Sequence, residues 1–426
     1  MESVSRIEGV DPDWPVETVP FTAGDGFGCN LLHIHGREAP VKGPVLLVHG
    51  AGVRANIFAA PSGAHIIRYL VERGWDVWLE NWRASIDLPF NRWTLDHAAA
   101  HDHPQAVKIV SERTGTSHFP AIIHCQGSTS FTMALVAGLL PQIKTVVSNA
   151  VSLHTVVPWL SKAKLNYAVP LASPFVDHLN PQWGLWRSGF MPHFLNTVVR
   201  LTHHECENLV CKHVSFAYGT GWPALWSHEN LNPETHEWLK AEFAKAPMTF
   251  FSQMSRCVNA GHLVAVEGYK ELPKDFAAQA PQTDARIAFF CGRDNLCFLP
   301  ESQRRSYEFF LRTRKDHAFY ELPGYGHLDI FMGKNAARDV FPADYATQYN
   351  LAMTLHHKGD EVAAIPEFEK AIALAPGEAS FHLSLAASLE KAGRVPDAKR
   401  EYQQYLEMAP NSVDAEMVKA HLQGLT

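Results

Sequence analysis

Short apolar runs recur along the first 343 residues, and each is followed by a stretch with helical spacing. They are Val45-Leu46-Leu47-Val48, Asp76-Val77-Trp78-Leu79, Ala121-Ile122-Ile123-His124, Val146-Val147-Ser148, Ile287-Ala288-Phe289-Phe290 and Ala318-Phe319-Tyr320-Glu321. Continuous apolar runs, as opposed to alternating ones, are expected of strands buried on both faces. Strands that alternate with helices give an α/β fold, a largely parallel sheet covered by helices. Thr18 to Phe21 and Asn30 to His35 flank the turn-rich Gly24-Asp25-Gly26 and read as an opening hairpin.

Between the runs at Val146 and Ile287 lies far more chain than a connection needs. It is rich in Trp, His, Phe and Pro, and residues about 153–284 are expected to form a lid over the sheet. Ligands of open α/β sheets sit beyond the carboxyl ends of the strands, so a lid there shapes a substrate pocket.

After Ala343 the composition turns to Ala, Leu, Glu and Lys, and a repeat with a period of 34 appears. Leu351 matches Leu385, Ala352 matches Ala386, Leu355 matches Leu389, and Gly359 matches Gly393. Ala364 matches Ala398, Phe368 matches Tyr402, and Pro376 matches Pro410. The period is that of the tetratricopeptide repeat, two helices per unit. Two repeats, 345–378 and 379–412, with a terminal helix from Ser412 to Leu422, make residues 345–426 a second, all-α domain. Such arrays offer a concave face to a protein or peptide, and a packing or dimerisation role is the competing reading.

With 426 residues and a net charge of -7, the chain carries no basic stripe of the kind nucleic acid requires. No apolar segment approaches the length of a membrane span, and Met1 to Trp14 is polar and acidic, unlike a secretory leader. Seven scattered cysteines do not suggest a disulfide framework. A cytoplasmic enzyme without a cofactor is expected, since no Gly-x-Gly-x-x-Gly opens a strand–helix–strand unit.

Chemistry points first to Ile122-Ile123-His124-Cys125-Gln126-Gly127-Ser128, a strand that runs directly into a helix-forming segment. A nucleophile on such a turn is held in strained backbone and needs small neighbours. Gly127 supplies one of them, while Ile123 stands where a small residue is usual. Placing the nucleophile at Ser128 would put Gln126 at that small position, so Cys125 is preferred.

A thiol needs a base and a group to orient that base, and here they are expected to follow the nucleophile in the chain. Asp294, on the loop after Ile287–Phe290, is the expected acid. His327, in Gly324-Tyr325-Gly326-His327, is the expected base, and Asp329 is the runner-up acid or a loop stabiliser. Val48-His49-Gly50-Ala51-Gly52 lets the Ala51 N–H join that of Gln126 as an oxyanion hole. The lid aromatics Trp159, Trp183, Trp186, Trp222, Trp226 and Phe250 suggest an apolar ligand, or else only pack the lid.

No metal is expected. His203, His204 and Cys206 with Cys211 and His213 superficially resemble a zinc site, but the step from Cys206 to Cys211 is not a common ligand spacing, which favours a structural role. His97, His101 and His103, beside Asp96 and Asp102, read as a solvated or hydrogen-bonded helix start near Pro104.

Residues 1–343 resemble the α/β-hydrolase domain associated with cholesterol-oxidase-like GMC flavoprotein oxidoreductases. The likeness rests on His124-Cys125-Gln126-Gly127-Ser128 and Ser148-Asn149-Ala150-Val151-Ser152-Leu153-His154. It extends to Cys206 and Cys211, Tyr218-Gly219, His228-Glu229-Asn230-Leu231-Asn232 and Gly324-Tyr325-Gly326-His327-Leu328-Asp329. In that family cysteine replaces the usual serine, as in dienelactone hydrolases and polyhydroxyalkanoate synthases. The resemblance implies a Cys-His-Asp triad acting on an ester or thioester of a lipid- or sterol-like molecule, by hydrolysis or acyl transfer. Lactone or carbon–carbon chemistry uses the same constellation. The alternative is a degenerate hydrolase-fold scaffold whose repeats recruit a protein partner.

Overall fold

The computed structural model describes the chain except residues 1–3, 6, 8, 221–222, 342–348, 350–351, 354, 375–377, 411, 413 and 426. Two compact units emerge, Met1–Ala336 and Ala337–Thr426. The expected boundary at 343–345, together with Leu351, Pro376 and Trp222, lies outside the described residues.

The first unit is built on a nine-stranded sheet. Its strands are β1 (Val4–Ser5), β2 (Val16–Thr22), β3 (Gly28–Ile34), β4 (Pro44–Val48), β5 (Asp76–Asn81), β6 (Phe119–His124), β7 (Ile143–Asn149), β10 (Arg286–Gly292) and β11 (Ala318–Leu322). β8 (His178–Leu179) and β9 (Ala246–Pro247) pair separately in the lid. The spatial order is β1-β2-β3-β5-β4-β6-β7-β10-β11. β1 to β3 run antiparallel to their neighbours, and from β5 to β11 all pairs are parallel. All five residues of β4 are buried, as a strand covered on both faces requires.

Register brings the carboxyl ends level. Val48 pairs with Ile123, His124 with Asn149, Phe290 with Asn149, and Gly292 with Leu322. The loops after β4, β6, β7, β10 and β11 therefore open at one end of the sheet.

The helix Cys125–Val136 after β6 is buried along almost its whole length. Three of its small hydroxyls find partners: Ser128 with Ser148 at 2.6 Å, Thr129 with Ser152 at 2.9 Å, and Ser130 with His103 at 2.8 Å. Small side chains let the helix sit close to the sheet, and the hydrogen bonds offset the cost of burying them.

In the second unit, the helices Glu361–Leu374, Ala379–Lys391, Val395–Met408 and Ala415–Gly424 share a core of Ala352, Ala364, Phe368, Leu385, Ala386, Leu389, Ala398 and Tyr402. These are the positions that recur every 34 residues. Gly359 and Gly393, also 34 apart, both have left-handed backbone, with φ of 79° and 76°.

Candidate active site

Cys125 is the first residue of its helix and has φ of 56°, a left-handed conformation that a β-carbon makes costly. The bend exists because Gly127 passes against the preceding loop: a β-carbon there would lie 2.1 Å from the His49 carbonyl oxygen. Ile123 is accommodated within β6, fully buried. The backbone N–H groups of Gln126 and Ala51 both reach the Cys125 sulfur. Burial outweighs these donors and pushes the thiol up to about 12.

His327 is fully buried on the loop after β11, and His124, Cys125 and His327 each place one nitrogen or sulfur within 4.8 Å of the others. Thus Cys125, His327, Ala51 and Gln126 come together. Asp294 does not join them: it is exposed, with its backbone N–H donating to Tyr325 O at 2.9 Å. The next residue, Asn295, stands at the imidazole instead, 3.1 Å from His327 Nδ1. The loops after β10 and β11 interlock so tightly that a β-carbon on Gly292 would lie 2.0 Å from the Gly326 oxygen.

The orientation of Asn295 follows from its other bonds. Its Oδ1 accepts from the N–H of Cys297 at 3.0 Å and of Phe298 at 3.2 Å, which turns its NH2 toward His327. Nδ1 of His327 is therefore an acceptor, and the neutral ring carries its proton on Nε2, an assignment made from the hydrogen-bond network. Nε2 itself is buried without a hydrogen-bond partner. Burial holds His327 down at about 3, with no charged group offsetting it. The resting site is a neutral thiol beside a neutral imidazole.

Three further residues shape the site. Asn149, at the end of β7, donates to His124 Nδ1 at 2.8 Å and to the His327 carbonyl at 3.3 Å. The next residue, Ala150, is the other non-glycine with left-handed φ among the described residues, at 59°. Asp329 supports the loop without touching the imidazole: it accepts from Gly326 N–H at 2.8 Å, Ser227 N–H at 3.2 Å and Asn230 Nδ2 at 2.6 Å. Burial raises its carboxyl to about 6. Tyr218 places a buried hydroxyl without a hydrogen-bond partner against Gly52, beside the loop after β4. Asn295 escapes sequence reasoning because an amide carries no charge to mark it; Asn149 and Tyr218 were visible only as parts of motifs in the resemblance.

Cys125 opens onto a cavity of about 120 Å3 with walls that include Leu165, Val169, Phe216, Tyr218, Phe250 and Phe298. Lys164 brings an amine into this apolar wall, held at about 8 by burial. Of the expected lid aromatics among the described residues, only Phe250 lines it. Trp183 and Trp226 are buried in the lid, whereas Trp159 and Trp186 are 80% and 77% exposed.

Of the two histidine-rich stretches, the one at His97 to His103 takes the hydrogen-bonded form of its expectation. Asp102 pairs with Arg83 at 2.6 Å, His103 with Glu80 at 2.9 Å, and Asp96 accepts from Val266 and Glu267 N–H, so this helix start is buried rather than solvated. In the lid, His213 bonds Asn196 and His204 is exposed. Cys206 and Cys211 instead face His228 and His236.

Comparison with known proteins follows the same division. A tetratricopeptide-repeat family model matches residues 355–422. Sterol esterase 2 of Saccharomyces cerevisiae is 27% identical over 140 residues, covering 29% of this chain and 26% of the esterase. The chain thus matches about a quarter of that relative's length. Human lipase member K is 21% identical over 359 residues, covering 77% of this chain and 86% of the lipase. Among solved structures, a Sulfolobus solfataricus protein provisionally described as a lipase superposes with a TM-score of 0.51 at 11% identity, covering 82% of this chain and 99% of that one. The chain has an α/β-hydrolase fold followed by a tetratricopeptide-like helical region.

Proposed function

We propose that the chain is an acyl hydrolase or acyltransferase that acts through Cys125 on an ester or thioester with a large apolar group. The observation that carries this reading is the sulfur itself: it sits on a strained bend, receives two backbone N–H groups and faces an apolar cavity. The similarity to sterol esterase 2 and lipase member K supports an ester substrate. The resemblance of its motifs to those of hydrolase domains associated with cholesterol-oxidase-like GMC oxidoreductases supports the cysteine nucleophile.

In this mechanism His327 takes the thiol proton on Nε2, and the sulfur attacks the carbonyl. The Ala51 and Gln126 amides hold the oxyanion, with the Tyr218 hydroxyl as a third donor. The adduct collapses with cleavage of the carbonyl bond to the leaving alcohol or thiol, which takes the proton back from His327 Nε2. The acyl-thioenzyme left behind is then released by attack of water or another alcohol, deprotonated by the same ring, with the proton returned to the Cys125 sulfur. Proton transfer needs the tautomer protonated on Nδ1, which forfeits the Asn295 hydrogen bond at about 1–3 kcal/mol. The reactive tautomer is a minority species. Ligand pockets commonly enclose about 300–1,000 Å3, so the present cavity describes a closed lid, and a large acyl group enters as the lid moves.

The second reading is a ligand-binding scaffold, and Asn295 is the residue that favours it, since it turns a donor toward the base. On either reading the repeats recruit a protein or peptide partner, supported by the family match at 355–422. All seven cysteines are unpaired, which fits a cytoplasmic setting. Among the described residues no helix is long and apolar enough to cross a membrane. Turnover of activated esters and acyl thioesters by the wild type and by Cys125→Ala tests the proposal. Loss of turnover in the variant is expected; equal rates would remove Cys125 from the mechanism.

A further inference from the structure

The lid contains a second cluster of reactive side chains that the acyl chemistry does not use. Cys206 lies in the loop before the helix Leu209–Tyr218 and Cys211 in its first turn. His228 begins the short turn His228–Asn230, and His236 belongs to the helix Pro233–Glu242. Four donor atoms, one from each residue, all lie within 4.8 Å of one another. Sequence spacing hides the group, because its histidines lie 17 and 25 residues beyond Cys211.

We propose that Cys206, Cys211, His228 and His236 bind a structural zinc ion that fastens the lid behind the His327 loop. Two sulfurs and two imidazole nitrogens are a preferred tetrahedral set for zinc, and a closed four-ligand site is structural rather than catalytic. Tetrahedral ligands at zinc–sulfur and zinc–nitrogen bond lengths lie about 3.3–3.8 Å apart. Cys211 Sγ and His228 Nε2 are already 3.4 Å apart. His236 Nε2 is buried and has no hydrogen-bond partner, a costly state that a metal bond removes. Two thiolates cancel the charge of the ion, and two thiol protons leave as it binds.

The backbone holds the donors in place. Asn208 Oδ1 accepts the Cys211 N–H at 3.1 Å, and Asn208 Nδ2 donates to the His236 carbonyl at 2.7 Å. The Cys206 thiol donates to the Asn208 carbonyl at 3.7 Å. Asn208 thus ties the Cys211 and His236 positions together, while the Cys206 contact is given up with its thiol proton as the ion binds. The segment pinned by His228 and His236 also carries the contacts to the β11 loop. The Leu225 carbonyl accepts from His327 N–H at 3.0 Å and Leu328 N–H at 2.8 Å, and Asn230 Nδ2 donates to Gly324 O and Asp329 at 2.6 Å each.

Metal analysis of the purified full chain tests the site without reference to any activity. About one equivalent of zinc per chain is expected, retained by Cys125→Ala and lost from Cys211→Ser/His236→Ala. Retention in Cys125→Ala separates this site from the other cysteine–histidine group. In case the double variant fails to fold, cobalt(II) exchange into the wild type is read by absorption. Intense d–d bands with a thiolate-to-cobalt charge-transfer band are expected of a tetrahedral two-sulfur site. Zinc-free protein that takes up no cobalt, a Cys206–Cys211 disulfide found by mass spectrometry, or zinc retained by a folded double variant would overturn the proposal.

Discussion

Asn295 decides how Cys125 rests, because it gives His327 a hydrogen bond of the wrong sense for a base. Asn295→Asp keeps one oxygen on the Cys297 and Phe298 amides and offers the other to a protonated Nδ1. The imidazolium is then stabilised, and the thiol falls from about 12. Alkylation of Cys125 by iodoacetamide near neutral pH should accelerate at least about tenfold in this variant. An unchanged rate would show that Asn295 does not govern the ring. Gly127→Ala drives a β-carbon to 2.1 Å from backbone and should cost at least about 1–3 kcal/mol, measured by denaturant unfolding. Cys125 and His327 stood out in the sequence because each follows a strand and has glycine close by, where the chain must turn. Asp294 was misleading for a simple reason: it is the charged residue of the pair, but the loop's backbone bonds direct it to solvent and turn its neutral neighbour inward.

At the scale of elements, the lid stretch Trp159–Ala172 is apolar on two sides. Ser161, Leu165, Ala168, Val169 and Ala172 line the cavity, while Trp159, Tyr167 and Leu171 are exposed. A helix of this kind suits a lid that meets a lipid phase when it opens. Tyr167→Asp/Leu171→Asp should lower turnover of emulsified long-chain esters severalfold and leave a water-soluble short-chain ester unaffected. Equal losses on both would assign the exposed face to folding alone. The sheet strands were legible because continuous β-branched runs leave few alternatives. The lid was legible only as a length of chain, since its helices are short and its strands β8 and β9 have two residues each. Its cysteine–histidine cluster joins three segments that no local spacing relates.

At the scale of the molecule, buried neutral histidines set the acid limit of the fold. His49 and His213 are held at about 4 and His327 at about 3, each mainly by burial. An unfolded histidine takes up its proton near 6.5, so the unfolded chain binds more protons below that value. Stability is therefore complete above about pH 6.5 and falls as pH drops toward 4, by about 2 kcal/mol per such histidine at pH 5. Asp329, raised to about 6, acts oppositely between its unfolded value and 6, but as a single group. The melting temperature should decline from pH 7 to pH 5; a flat profile would mean that these rings are hydrated. The helical repeats were legible from their period, yet the compact units divide at Ala336, ahead of the compositional change. The central claim concerns one sulfur, and intact-mass and peptide mapping after brief exposure to a long-chain acyl thioester test it most directly. A single acyl adduct on Cys125, absent from Cys125→Ala, is predicted, whereas no adduct under any acyl donor, or one on another residue, would contradict the account.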